Sequence, residues 1–168
     1  MVKDKRKKDA PTATETPLNP SSTTDNCNTL YRKSQAKREQ RTRNFATVVY
    51  PESAPSDWID KLDQLHVAAL ISPLHDKDTN PSGEPKKPHY HVLLMFEGVK
   101  DYETQVKPMF AEIGGVGREM VNSARGYARY LCHLDNPEKA QYEPSEVRCM
   151  GGADYTDITN LPTDTRKM

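Results

Sequence analysis

Two of the chain's five histidines stand one residue apart in the stretch KKPHYHVLL, residues 86–94. If that stretch is a strand, side chains alternate across it. His89 and His91 then project from one face and Tyr90 from the other. Imidazoles spaced this way can share one cation, although strand histidines more often simply pack or face solvent. The segment just before strengthens the metal reading. LHDKD (74–78) offers His75 and Asp78 at the end of the preceding apolar run. If the two runs pair as neighbouring strands, the end of the first lies beside the start of the second. His75, Asp78, His89 and His91 then converge. Three imidazoles and one carboxylate suit a borderline divalent cation, Mn²⁺ before Mg²⁺, Co²⁺ or Zn²⁺. The bland alternative is a polar turn. His66 and His133 fall outside the pattern, and His66 reads as a plain loop residue.

A metal with open positions beside Lys77, Lys86 and Lys87 suits a phosphodiester substrate. A nucleophile is then needed, and SARGYARYLCHLDNPEK (123–139) supplies Tyr127 and Tyr130. At about 100° per residue, Tyr127 sits mid-stripe with Ala124, Leu131 and Leu134, whereas Tyr130 lies at the edge near Gly126 and His133. Helical side chains lean toward the N-terminus, so Tyr130 reaches over Gly126, where a DNA backbone can approach closely. Tyr127 is expected in the core and Tyr130 is the residue expected to attack. Without a metal nearby, packing is the default for both. A phenol has a pKa near ~10, so metal neutralisation of the phosphoryl oxygens matters. The product would be a phosphotyrosine ester, which conserves the bond energy for rejoining. Lys77, Lys86, Lys87, Arg125 and Arg129 are expected near the DNA. Glu97, Glu138 and His133 are all conceivable as the group that activates a hydroxyl at termination.

The elements that must position these residues follow from periodicity and punctuation. Residues 44–50 have strand composition, closed by Pro51. Residues 56–65 read as a helix capped by Ser56, with Trp58, Leu62 and Leu65 at helical spacing. Residues 67–74 and 89–98 read as strands around a polar loop, 75–88. Residues 101–115 read as a helix with Tyr102, Val106, Phe110 and Ile113 on one face, interrupted at Pro108. A strand at 116–122, a helix from 123 that breaks before Pro137, and a strand at 146–150 complete the order β-α-β-β-α-β-α-β. That order predicts an α+β, ferredoxin-like split βαβ fold, a central antiparallel sheet with helices on one face.

Lys/Arg and Asp/Glu number 24 each, yet they are unevenly placed. Residues 1–43 carry 11 basic and 5 acidic side chains, so the remainder is net acidic. A basic leader with few large apolar side chains, 1–42, is expected to be disordered and to favour a polyanionic partner. The folded domain is expected over 43–156, followed by a tail, 157–168. An acidic body argues against binding nucleic acid by charge alone, so any such binding is expected to be local and metal-assisted. There is no apolar run of membrane-spanning length and no signal peptide. Three widely spaced cysteines, Cys27, Cys132 and Cys149, fit reduced thiols in a cytoplasm.

These segments resemble the HUH endonuclease superfamily, named for two histidines around a bulky residue, here HYH. Taken in order, YPESAPSDW (50–58), ISPLHDKD (71–78), KPHYHVLL (87–94) and YLCH (130–133) are similar to RepB-type rolling-circle replication initiators of bacterial plasmids. The resemblance covers about residues 44–155. It implies metal ligands at His75, Asp78, His89 and His91 and a nucleophile at Tyr130. It also implies nicking of one strand at the plasmid double-strand origin, a 5′-phosphotyrosine link, and a free 3′ hydroxyl that primes synthesis. Origin DNA and host helicase and polymerase are the implied partners, in a bacterial cytoplasm. Family members continue into a helical oligomerisation domain that has no counterpart in this resemblance, so the oligomeric state stays open. Two other readings compete: a relaxase- or transposase-type HUH nickase, and an origin-binding regulator that does not cleave.

Overall fold

The computed structural model describes residues 40–162. The expected leader therefore lies outside the described residues except at its end. There β1, Arg41–Val49, already pairs Arg41 with Asp101 and Thr42 with Lys100. Helix α1 (Trp58–Gln64) leads to β2 (Ala68–Ile71), and β3 (Tyr90–Asp101) follows the polar loop. A π-helical turn, Tyr102–Val106, opens α2 (Lys107–Glu112), and β4 (Gly115–Met120) follows. Helix α3 (Ala124–Tyr130), a 3₁₀ turn (Pro144–Glu146), β5 (Arg148–Met150) and α4 (Tyr155–Asn160) complete the order.

The five strands form one antiparallel sheet in the order β4-β1-β3-β2-β5. Strand β3 inserts between β1 and β2, consistent with a ferredoxin-like split βαβ arrangement. Alternation divides the side chains into two layers. Phe45, Val49, Ile71, Val92 and Leu94 pack with Trp58 and Leu62 of α1 and Phe110 of α2. Ala46, Leu70 and Leu93 face the opposite way and pack with Tyr127, Ala128 and Leu131, with Tyr155 and Ile158 of α4 against them. Helices thus cover both faces, not one. The expectation of a single covered face failed because α3 packs on the face opposite α1 and α2, and element order along the chain does not say which face a helix covers; α4 then adds Tyr155 and Ile158 beside it. The same helix occupies part of the expected tail.

Local chemistry accounts for other departures. Pro108 has no N–H, and the helix accommodates it in the first turn of α2 after the wider π turn, where Lys107 N–H reaches Tyr102 O. Asp101 caps that turn by accepting from Thr104 N–H at 3.1 Å. Helix α1 is capped at Asp57 rather than Ser56, without a side-chain cap bond, and Asp57 instead pairs with Lys61 at 3.1 Å. Helix α3 stops at Tyr130, well before Pro137, and leaves Leu134 beyond its end and exposed.

Gly151 shows how tightly β5 is joined to the sheet. It has φ +62°, and a Cβ there would overlap the Val67 carbonyl. Gly151→Ala is expected to cost more than about 2 kcal/mol, from left-handed strain plus this overlap. Urea denaturation of the variant checks it, and a midpoint equal to that of the parent protein would refute it.

Candidate metal centre and tyrosine cleft

The loop between β2 and β3 closes as the sequence reading requires. His75 and His89 form a bridge, with His75 N–H donating to His89 O at 2.9 Å. Pro73 cannot donate to a ladder, and Ser72 compensates. Its hydroxyl accepts the His91 N–H at 2.9 Å and donates to Pro73 O at 2.8 Å. The loop tip folds back on itself, with Thr79 opposite Pro85 and Lys86 N–H on Asp78 O at 2.7 Å. Tyr90 points to the other face, its ring 5.5 Å from that of Trp58.

His75, Asp78, His89 and His91 are brought together. His75 Nδ1 lies 3.4 Å and His89 Nε2 3.9 Å from Asp78 Oδ2. The rings of His75 and His91 are 4.8 Å apart, and those of His89 and His91 5.0 Å. His133, placed outside the pattern by the sequence reading, belongs to the cluster. Its ring is 4.7 Å from that of His75, and its Nδ1 is 3.9 Å from Asp78 Oδ1. Its place in YLCH, three residues after Tyr130, was the available signal. Tyr142 had none. It stacks on His75 at 4.2 Å with planes 3° apart, and its hydroxyl donates to Asp78 Oδ1 at 2.9 Å.

Backbone carbonyls set the ring protons. A carbonyl only accepts, so His75 Nε2–H donates to Leu131 O at 2.8 Å, and His89 Nδ1–H to Lys87 O at 2.8 Å. Each ring thereby keeps a lone pair on its other nitrogen, the arrangement seen around metal-ligating histidines. His75 Nδ1 is buried with no hydrogen-bond partner. An orphaned, buried acceptor facing a carboxylate and two imidazoles fits a divalent cation, and His75, His89 and His91 offer ligand atoms within 4.8 Å of one another. Mn²⁺, Mg²⁺, Co²⁺ and Zn²⁺ all suit these donors.

The electrostatics agree. Burial, with the neighbouring charges of His75 and His89, pushes His91 down to about 3, and burial also lowers His75. Burial pushes Asp78 up, but the Tyr142 hydroxyl and the His75 and His133 charges outweigh it and leave the carboxyl below its usual range. Neutral imidazoles and an ionised carboxylate are the ligating forms. The two imidazoles have folded values below their unfolded value of about 6.5. The stability tied to them is present above that pH and lost as pH falls, for His91 through about 3. The melting temperature of the metal-free protein should fall across this window, and His91→Gln should lessen the slope. A flat profile would refute the assignment.

Tyr127 and Tyr130 separate as helical spacing predicts. Tyr127 is buried, and burial, followed by the Glu119 charge, raises its phenol well above the ordinary range. Its hydroxyl lies 3.4 Å from His91 Nδ1. Tyr130 is half-buried, and its ring stands 5.4 Å from that of His91. It opens into a cleft of about 140 Å³ lined also by Asp78, His89, Lys77, Lys86 and Lys139. Lys139, missed in the sequence, holds its ammonium 4.9 Å from the Tyr130 ring centre. Ser123 caps α3 by accepting from Gly126 N–H at 3.1 Å, and His75 holds its other end through Leu131 O. A Cβ on exposed Gly126 would press on Ser123 Oγ at 3.3 Å.

The other basic residues expected near the DNA lie outside this cleft. Lys87 pairs with Glu52 at 2.9 Å, over the Tyr50 ring. Arg125 Nε donates to Thr159 O at 2.9 Å, and Arg129 forks onto Asp135 at 2.7–3.1 Å. Neither arginine lines the cleft, because α4, unforeseen from sequence, packs beside them. His66 is an exposed turn residue.

An α+β domain with a central antiparallel sheet carries, at one end, a histidine–aspartate centre able to hold a divalent metal beside a tyrosine cleft. Residues 37–156 match the family described as plasmid replication protein, origin binding domain, and the chain belongs to that family. It is similar to a replication protein of Staphylococcus aureus, 38% identical over 82% of this chain and 68% of the relative. It is also similar to replication protein RepB of Lactiplantibacillus plantarum, 41% identical over 76% of this chain and 57% of that protein. RepB of Streptococcus agalactiae is 29% identical, with 76% and 65% covered. The chain thus spans about two thirds or less of the length of these curated relatives. No described helix is long and apolar enough to cross a membrane.

Proposed function

We propose that this chain nicks one strand at a plasmid double-strand origin through Tyr130, in the manner of an HUH endonuclease, to start rolling-circle replication. The observation that carries the reading is the position of Tyr130. It is the accessible tyrosine of α3, and it shares one cleft with Asp78, His89, His91 and three lysines. Lys77, Lys86 and Lys139 hold strand phosphates there. The Tyr130 hydroxyl gives up its proton as its oxygen bonds to phosphorus, the bond from phosphorus to the 3′ oxygen breaks, and that oxygen takes up a proton, through water, and leaves as a hydroxyl. The 5′ phosphate stays on Tyr130 and the 3′ hydroxyl primes synthesis. His75, Asp78, His89 and His91 would hold the divalent cation, Mn²⁺ first, which supplies Lewis-acid stabilisation of the phosphoryl oxygens. Tyr127, buried and held protonated, packs and steadies His91 rather than attacking. Origin DNA is the partner, with host helicase and polymerase acting afterwards in a bacterial cytoplasm.

The test is incubation of the supercoiled replicon that encodes the chain with the protein and Mn²⁺. Open circles, with protein covalently joined to the new 5′ end, are expected. Binding without any strand break would leave the non-cleaving origin binder as the better reading.

A further inference from the structure

The chain after α3 holds a conformation that its residue type does not favour. His133 has φ +56°, a region glycine enters freely and histidine does not. The position closes the helix. His133 N–H donates to Tyr130 O at 3.0 Å and Leu134 N–H to Arg129 O at 3.1 Å, a pattern that usually places glycine here. Strain of this kind persists only where the surroundings over-determine it. His133 is 1% exposed, and its Nδ1–H donates to Ala140 O at 2.7 Å. That bond occupies the nitrogen nearest Asp78. Ala140 lies between two residues that reach the site. Lys139 stands over the Tyr130 ring, and Tyr142 holds Asp78 and covers His75. The left-handed turn reverses the chain, and the His133 side chain ties the returning segment at Ala140, beside the backbone bond from Tyr142 N–H to Cys132 O at 3.3 Å.

We propose that His133 is a positioning residue of the nicking site: its bond to the Ala140 carbonyl carries Lys139 onto Tyr130 and Tyr142 onto Asp78. The proposal rests on the nicking reading above. Glycine would be the easier residue for this backbone, and the imidazole is there for its side-chain donor.

His133→Gly and His133→Asn separate the donor from the backbone. Both tolerate positive φ, but only asparagine keeps a short donor for Ala140. The substrate is a single-stranded oligonucleotide spanning the nick mapped on the replicon, at saturating Mn²⁺, with the parent protein and Tyr130→Phe run alongside. His133→Gly should lower kcat by about tenfold to a hundredfold and raise KM by less than that, since Lys77 and Lys86 still hold the strand, and His133→Asn should return kcat to within about threefold. Calorimetric titration with Mn²⁺ should show affinity about tenfold weaker for the glycine variant and restored by asparagine, because Tyr142 has released Asp78. A glycine variant with full kcat and full Mn²⁺ affinity overturns the proposal, as does an asparagine variant no better than glycine. If the glycine variant does not fold, Lys139→Gln and Tyr142→Phe decide. Unchanged kcat and Mn²⁺ affinity in both would overturn it. If the parent protein itself does not cleave, the nicking reading fails, and the Mn²⁺ titrations still decide the role of His133.

Discussion

Tyr130→Phe removes one oxygen and is expected to abolish nicking while leaving DNA binding intact. Loss of a nucleophile costs roughly 10⁴-fold or more in rate, since the rest of the site cannot substitute for the bond it forms. The fold should be indifferent. Tyr130 is half-buried, and no described hydrogen bond of the fold uses its hydroxyl, so phenylalanine keeps the ring packed against His91 and His133. The readouts are conversion of supercoiled DNA to open circles, a detergent-stable protein–DNA adduct, and a binding isotherm on origin DNA. Normal cleavage by the variant would return the role to another group. Tyr127→Phe is the comparison: it should still cleave and form the adduct, at a rate lowered only by the lost contact to His91, because its phenol is buried and held protonated.

Chelation comes second in expected size. EDTA should stop nicking, and Mn²⁺ should restore it. The same ion should raise the melting temperature, because it satisfies His75 Nδ1, which is otherwise buried without a partner. A ligand that binds only the folded state adds about 2.7 kcal/mol at a hundredfold excess over its Kd. His75→Ala should abolish both effects. It also removes the hydrogen bond to Leu131 O, so its metal-free melting temperature must be measured beside the parent protein. Nicking that survives EDTA would sink the metal role, and a melting temperature indifferent to Mn²⁺ would sink the assignment of these ligands.

KKPHYHVLL and LHDKD already contained much of the site's geometry. HYH alternation placed His89 and His91 on one face and Tyr90 on the other, as the register of β3 has it. The pairing of β2 with β3 brought His75 beside His89, which spacing alone allowed. Helical angle distinguished Tyr127 from Tyr130. Alternation and helical angle are local geometry, and local geometry can be read along a chain.

Contacts that the chain makes with itself at a distance were not legible. His133 joins the centre because a left-handed residue turns the chain back after α3. Tyr142 and Lys139 arrive with the returning segment. Arg125 and Arg129, expected near the DNA, bond to Thr159 O and Asp135 and lie outside the tyrosine cleft. The second helical layer is α3 with α4 beside it, and which face of the sheet α3 covers is set by the connections, not by its own period. The sequence by itself determined the strands, the convergence of His75, Asp78, His89 and His91, and which tyrosine of α3 is accessible, because these follow from residue type and spacing and from the pairing of neighbouring strands. Only the tertiary structure decided which loop closes over the cleft, because a hydrogen bond such as that from His133 to Ala140 depends on where two segments meet in space.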